Sequence, residues 1–93
     1  MQPKIVMKVG SAVKIQTVLD RANPDSVTIE IEDPSETVKV NYLAMSAETD
    51  KIYYYIWQSA STDDDGDYKV TIVATYGSYI SKEQSWFTME DID

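Results

Sequence analysis

Apolar and polar residues alternate with a period of two along almost the whole chain, the signature of half-buried strands. Residues 4–9 form the first such run, and Gly10-Ser11 breaks it. Val13, Ile15, Thr17 and Leu19 then share one face of a second run, with Lys14 and Gln16 on the other. Asn23-Pro24-Asp25 makes a turn, after which Val27, Ile29 and Ile31 alternate with Thr28, Glu30 and Glu32. Asp33-Pro34-Ser35 ends this third run, because proline cannot donate to a continuing ladder and restricts the residue before it. Val38, Val40 and Tyr42 alternate with Lys39 and Asn41 in a fourth. Residues 44–50 have some helical character but are too few to define a helix. Residues 52–58 and 68–76 make the fifth and sixth runs. Gly77-Ser78 turns the chain into a seventh over residues 79–89, with an irregularity expected near Ser81-Lys82-Glu83.

Seven short strands separated by turns predict an all-β fold, a seven-stranded antiparallel sandwich of two sheets. The expected interior comprises Val13, Ile15, Leu19, Val27, Ile29, Ile31, Val38, Val40, Ile52, Tyr54, Ile56, Tyr68, Val70, Ile72, Ala74 and Phe87. At roughly 25 cal/mol per Å² of buried apolar surface, such a set offsets the chain entropy of a domain this size. The 93 residues are expected to form one domain over residues 1–93, ending in a short acidic tail at 90–93.

Leading into the sixth run, Asp64-Asp65-Gly66-Asp67-Tyr68-Lys69-Val70 resembles the corner before strand F of immunoglobulin-like sandwiches. There the tyrosine hydroxyl bonds back to the backbone, so the resemblance assigns Asp64, Gly66 and Tyr68 to a structural corner. With Gly10, Ile31-Glu32-Asp33-Pro34 and Trp86-Phe87, the chain is similar to immunoglobulin-like or fibronectin-like modules of prokaryotic surface proteins and phage particles. Val70 stands where an antibody domain has its second cysteine, and the chain has no cysteine, so the expected sandwich lacks a disulfide. Trp57 lies too near the corner to be the core tryptophan of strand C and suits strand E.

Charge narrows the partners. Eight Lys and Arg against sixteen Asp and Glu give a formal net charge of −8, which repels phosphate backbones and anionic membrane surfaces. Basic protein surfaces, neutral glycans and divalent cations remain compatible. Histidine is absent as well as cysteine, which removes the commonest general base and the commonest zinc ligands. No apolar run approaches the length of a membrane span, and residues 1–8 lack the apolar core of a secretory signal. A chain made and used without export, or one cut from a longer exported protein, fits that start.

Three clusters are candidates for function. The fifth run reads Ile52-Tyr53-Tyr54-Tyr55-Ile56-Trp57. If Ile52, Tyr54 and Ile56 face the core, then Tyr53, Tyr55 and Trp57 line an outer face, where rigid aromatics suit a protein partner or stacked sugar rings. The competing account, aromatic packing within the sheet plus intrinsic β propensity, stands ahead, since both faces of a central strand can be covered by the domain's own loops. Asp63, Asp65 and Asp67 could place carboxylates around Ca²⁺, but Ser61 and Ile72 occupy the first and last ligand positions of a helix-loop-helix calcium loop. A solvated turn shaped by Gly66 is the stronger reading, and no metal or other cofactor is expected. Ser81 and Lys82 are adjacent on a strand and so point to opposite faces, which argues against a nucleophilic dyad.

These features predict a non-enzymatic structural or protein-interaction module of a larger assembly, with Tyr53, Tyr55 and Trp57 as partner-binding anchors. The resemblance implies a virion accessory role, in head decoration, neck or tail, and a virion or cell-surface location. A spacer or adhesin repeat of a prokaryotic surface protein, and a carbohydrate-binding module using the same aromatics, are the alternatives.

Overall fold

The structure, a computed structural model, describes residues 6–90. Its described residues form eight strand segments: β1 (Val6–Lys8), β2 (Ala12–Val18), β3 (Ser26–Glu32), β4 (Val38–Ala44), β5 (Ser46–Ala47), β6 (Ile52–Gln58), β7 (Gly66–Tyr76) and β8 (Tyr79–Glu90). No helix occurs among them. A five-stranded sheet in the order β1-β8-β7-β3-β4 faces a three-stranded sheet in the order β2-β6-β5. All pairings are antiparallel except the edge contact of β1 with β8, where Val6 lies beside Thr88 in parallel. The expected two-sheet all-β architecture is therefore present, and the acidic tail lies largely outside the described residues.

The core fills the space between the sheets. β3 and β7 sit centrally in the larger sheet and supply Val27, Ile29, Ile31, Tyr68, Val70, Ile72 and Ala74, all buried. Register explains their common face: Ile29 lies opposite Ile72, and Ile31 opposite Val70, and directly opposed residues share one side of a sheet. Val13, Val40 and Phe87 are buried as their periodicity predicts, and Ile15 and Leu19 pack partly buried against them.

Three expectations need correction. The irregularity expected near Ser81-Lys82-Glu83 does not occur, because β8 pairs with β7 in unbroken register across those residues. Residues 44–50, too few to define a helix, are extended as far as Ala47: Met45 is buried between β4 and β5, and its N–H donates to the Val27 carbonyl (2.9 Å). That anchor keeps the segment extended while it crosses from one sheet to the other. Val38 is exposed, because β4 is an edge strand whose pairing with β3 shifts register between Ile29 and Ile31 and again between Ile31 and Glu32. Tyr42, in that irregularity, takes φ 51°, a left-handed conformation that takes the strand out of simple alternation. Ile56 is also exposed, and Ile52 and Tyr54 are only half-buried, because β6 turns its other face inward.

Two glycines are required by geometry. Gly77 (φ 60°) opens the two-residue turn between β7 and β8, and its N–H donates to Asp25 Oδ2 (2.6 Å). Gly66 begins β7 at φ 128°, and a Cβ there would come within 2.8 Å of Pro34 Cγ.

Candidate functional site

The tyrosine corner is built from the start of β7 and the loop before it. Gly66 admits the backbone to the close approach with Pro34, and the period of two then turns Tyr68 into the interior, where its side chain is fully buried. Its hydroxyl donates to the Asp64 carbonyl oxygen at 2.6 Å. Burial first, then the nearby carboxylates of Asp63, Asp33, Asp64 and Asp65, push the phenol pKa up to about 12. Both influences favour the neutral hydroxyl that the hydrogen bond needs.

A second turn braces the corner. The Ser35 and Thr37 N–H groups both donate to Asp33 Oδ1, at 2.9 and 2.8 Å, so a buried carboxylate organises the 33–37 loop. Lys39 Nζ lies 3.2 Å from Asp63 Oδ1 and 4.0 Å from Asp33 Oδ2, joining that loop to the one before β7. Asp63 also accepts the Ala60 N–H (2.7 Å), and Asp67 accepts the Thr88 hydroxyl (2.6 Å). Asp63 and Asp67 thus serve different local partners, and the structure does not bring Asp63, Asp65 and Asp67 together around one point. Among the described residues no group of three acidic side chains is placed to hold a metal ion.

The aromatic strand reverses the sequence expectation. Trp57 is only 9% exposed, and Tyr53 and Tyr55 pack partly buried against the core. The partner strand decides the face: Val13 lies opposite Trp57, Ile15 opposite Tyr55 and Thr17 opposite Tyr53, and Val13 and Thr17 are buried. A three-stranded sheet whose β2 contributes only Val13, Ile15 and Thr17 needs bulk from β6 to fill the layer. The larger rings supply it. Trp57 sits 5.5 Å from the Tyr68 ring and 6.2 Å from Phe87, while Tyr68 stacks on Phe87 at 5.3 Å with planes 14° apart. Tyr53, Tyr55 and Trp57 are therefore inward-facing residues and do not form the expected outer-face stripe for a protein partner or stacked sugar rings.

The other parity of β6 now faces out. Ile56 is 58% exposed and Val18 on β2 is 65% exposed, with half-buried Ile52 and Tyr54 completing an apolar strip. Lys14 lies beside it, its ammonium 5.0 Å from the Tyr54 ring centre and 3.5 Å from Glu48. The sequence signal for this strip was present, because both parities of the fifth run are apolar. What it lacked was the sign.

A cleft of about 500 Å³ lies at the opposite end of the sandwich from the corner, beside the β7–β8 turn. There the Tyr76 hydroxyl donates to the Arg21 carbonyl (2.6 Å), and the Arg21 guanidinium lies over the Tyr76 ring. These groups tie the residue 19–25 loop to the turn. Ser81 and Lys82 lie opposite Ala74 and Val73, on opposite faces of the sheet, and so do not meet. Among the described residues no buried side-chain nitrogen or oxygen lacks a partner. Compared with known families and characterised proteins, the chain matches no family model and no curated protein.

Proposed function

We propose that this chain is an immunoglobulin-like sandwich serving as a non-catalytic interaction module in a larger assembly, of the kind that a virion accessory protein provides. The carrying observation is the apolar strip Val18, Ile52, Tyr54 and Ile56 on the outer face of the smaller sheet, where a solvated sheet ordinarily carries polar residues. The strip lies on a rigid layer, with Trp57, Tyr68 and Phe87 packed across the sandwich beneath. The immunoglobulin-like reading is supported by topology: β8-β7-β3-β4 opposite β2-β6-β5 follows the order G-F-C-C′ opposite B-E-D. The hydroxyl of Tyr68 bonding back four residues supports it further.

A net charge of −8 favours a basic counter-surface, with carboxylates steering encounter and the apolar strip supplying contact area. Capture from particles or lysate of the source organism, with the domain as bait, tests the reading. The expected result is retention of a coat, neck or tail protein by the parent chain and its loss with Ile56→Asp, at unchanged folding. Equal retention by both chains, or retention of nothing, overturns it.

A further inference from the structure

Among the described residues, the outer edge of β8 carries an unpaired window. β7 pairs one side of β8 along residues 79–89, whereas β1 covers the other side only at Thr88, Met89 and Glu90. Among the described residues no strand pairs the outer edge from 79 to 87. Open edges of this length are templates for another strand, and soluble domains usually shorten, charge or cover them. This one carries Lys82 and Glu83 at its middle but flanks them with Tyr79, Ile80 and Trp86 at 73%, 64% and 61% exposure.

The window is also chemically palindromic. Reading Tyr79-Ile80-Ser81-Lys82-Glu83-Gln84-Ser85-Trp86-Phe87 about its midpoint, Glu83, pairs Tyr79 with Phe87, Ile80 with Trp86, Ser81 with Ser85, and Lys82 with Gln84. Aromatic meets aromatic, apolar meets apolar, hydroxyl meets hydroxyl and polar meets polar. The palindrome begins at the first residue of the open edge and ends where β1 takes over.

We propose that β8 pairs with β8 of a second copy of this chain, antiparallel and about a two-fold axis through Glu83, joining two five-stranded sheets into one. An isologous contact requires residue i to meet j while j meets i, and this register satisfies that at every position. It also keeps faces matched. Ser81, Glu83 and Ser85 lie opposite Ala74, Ile72 and Val70 on the core side, while Ile80, Lys82, Gln84 and Trp86 occupy the other face. Each proposed pair joins residues of the same face. The partner's Tyr79 comes beside Phe87, at a cleft of about 190 Å³ lined in part by Val13, Ile15 and Phe87.

One pairing is unfavourable on charge, Glu83 against its own copy. Its carboxylate accepts the Thr17 hydroxyl (3.1 Å), which draws it towards β2 and away from the axis. Self-pairing stands whether or not the chain belongs to a larger assembly, and it uses a surface distinct from the Val18–Ile56 strip.

Sedimentation equilibrium of the full chain tests the association, and single cysteines test the register. The chain has no cysteine of its own, so each introduced thiol is unambiguous. The Glu90 carbonyl accepts the Val9 N–H, so Glu90 turns outward and alternation turns Glu83 towards β7. Glu83 therefore meets its copy as a non-hydrogen-bonded pair with Cα atoms about 4.5 Å apart, within disulfide reach. The expected results are a concentration-dependent dimer and rapid disulfide formation by Glu83→Cys but not by Ser78→Cys at the hairpin tip. Ser81→Cys mixed with Ser85→Cys should cross-link faster than either variant alone. Glu83→Gln should tighten the dimer about fivefold by removing like charges directly opposed. Ile80→Lys should yield a folded monomer whose melting temperature no longer rises with protein concentration, as that of the parent should. A monomer at all concentrations, or a dimer in which Glu83→Cys cross-links no faster than Ser78→Cys, overturns the proposal.

Discussion

Replacing Tyr68 by Phe removes one oxygen from the corner and makes an unusual pH signature. The hydroxyl is buried and donates to the Asp64 carbonyl at 2.6 Å. Its net worth is about 0.5–1.5 kcal/mol. Asp64 is exposed, so its carbonyl can recruit water in the variant, which keeps the loss near about 1 kcal/mol. For a domain of this size that lowers the melting temperature by about 4–8 °C at neutral pH. The parent protein has an added liability in alkali. Its folded phenol titrates at about 12 against an ordinary value of 10.0. Between those values the unfolded chain has released the proton and the folded one has kept it, so stability falls as pH rises. The slope is about 1.4 kcal/mol per pH unit. The Phe variant has no such group. Its deficit should therefore shrink above pH 10 and vanish near about pH 11, where the parent has lost a comparable amount. Urea unfolding followed by tryptophan fluorescence measures both chains from neutral to alkaline pH, and the other tyrosines are common to both. A deficit that stays constant across that range would refute the buried, donating hydroxyl.

Three further outcomes follow from the packing and the charges. Trp57→Ala should cost about 3–5 kcal/mol because it empties the space against Tyr68 and Phe87, whereas Ile56→Ala on the same strand should stay within about 0.5 kcal/mol in urea unfolding. Gly66→Ala should cost about 1–3 kcal/mol, because it places a Cβ 2.8 Å from Pro34 Cγ at φ 128°, and Pro34→Ala in that background should recover part of the loss measured by thermal unfolding. The Glu30 carboxyl is held above its ordinary range, first by desolvation and then by neighbouring Glu32, with Lys69 opposing. Its ionised form therefore disfavours the fold, so Glu30→Gln should raise stability at neutral pH and lose that advantage as pH falls through the carboxylate range, as a pH series of melting temperatures would show.

The strands were legible where one parity was clearly apolar. Val27, Ile29 and Ile31 against Thr28, Glu30 and Glu32 leave one choice of face, and all three aliphatics are buried. The corner was legible because its chemistry is local: Tyr68 reaches back four residues, and Gly66 stands between. The face of β6 was not, since Ile52, Tyr54 and Ile56 are as apolar as Tyr53, Tyr55 and Trp57. Only pairing with β2, some forty residues earlier, breaks that tie, and such pairing has no local signal. The crossing at Met45 was hidden for the same reason, because what holds it extended is the Val27 carbonyl on another strand. The palindrome of β8 is written in the sequence, but it gains meaning only beside an edge that no described strand covers from 79 to 87.

The assembly reading is tested most directly by quantitative mass spectrometry of purified, salt-washed particles from the source organism. An interaction module of a virion should be present at a fixed copy number relative to the coat protein, and particles carrying Ile56→Asp should be depleted of it. Recovery of the chain only from the soluble lysate or the cell envelope, with none in the particles, would contradict it.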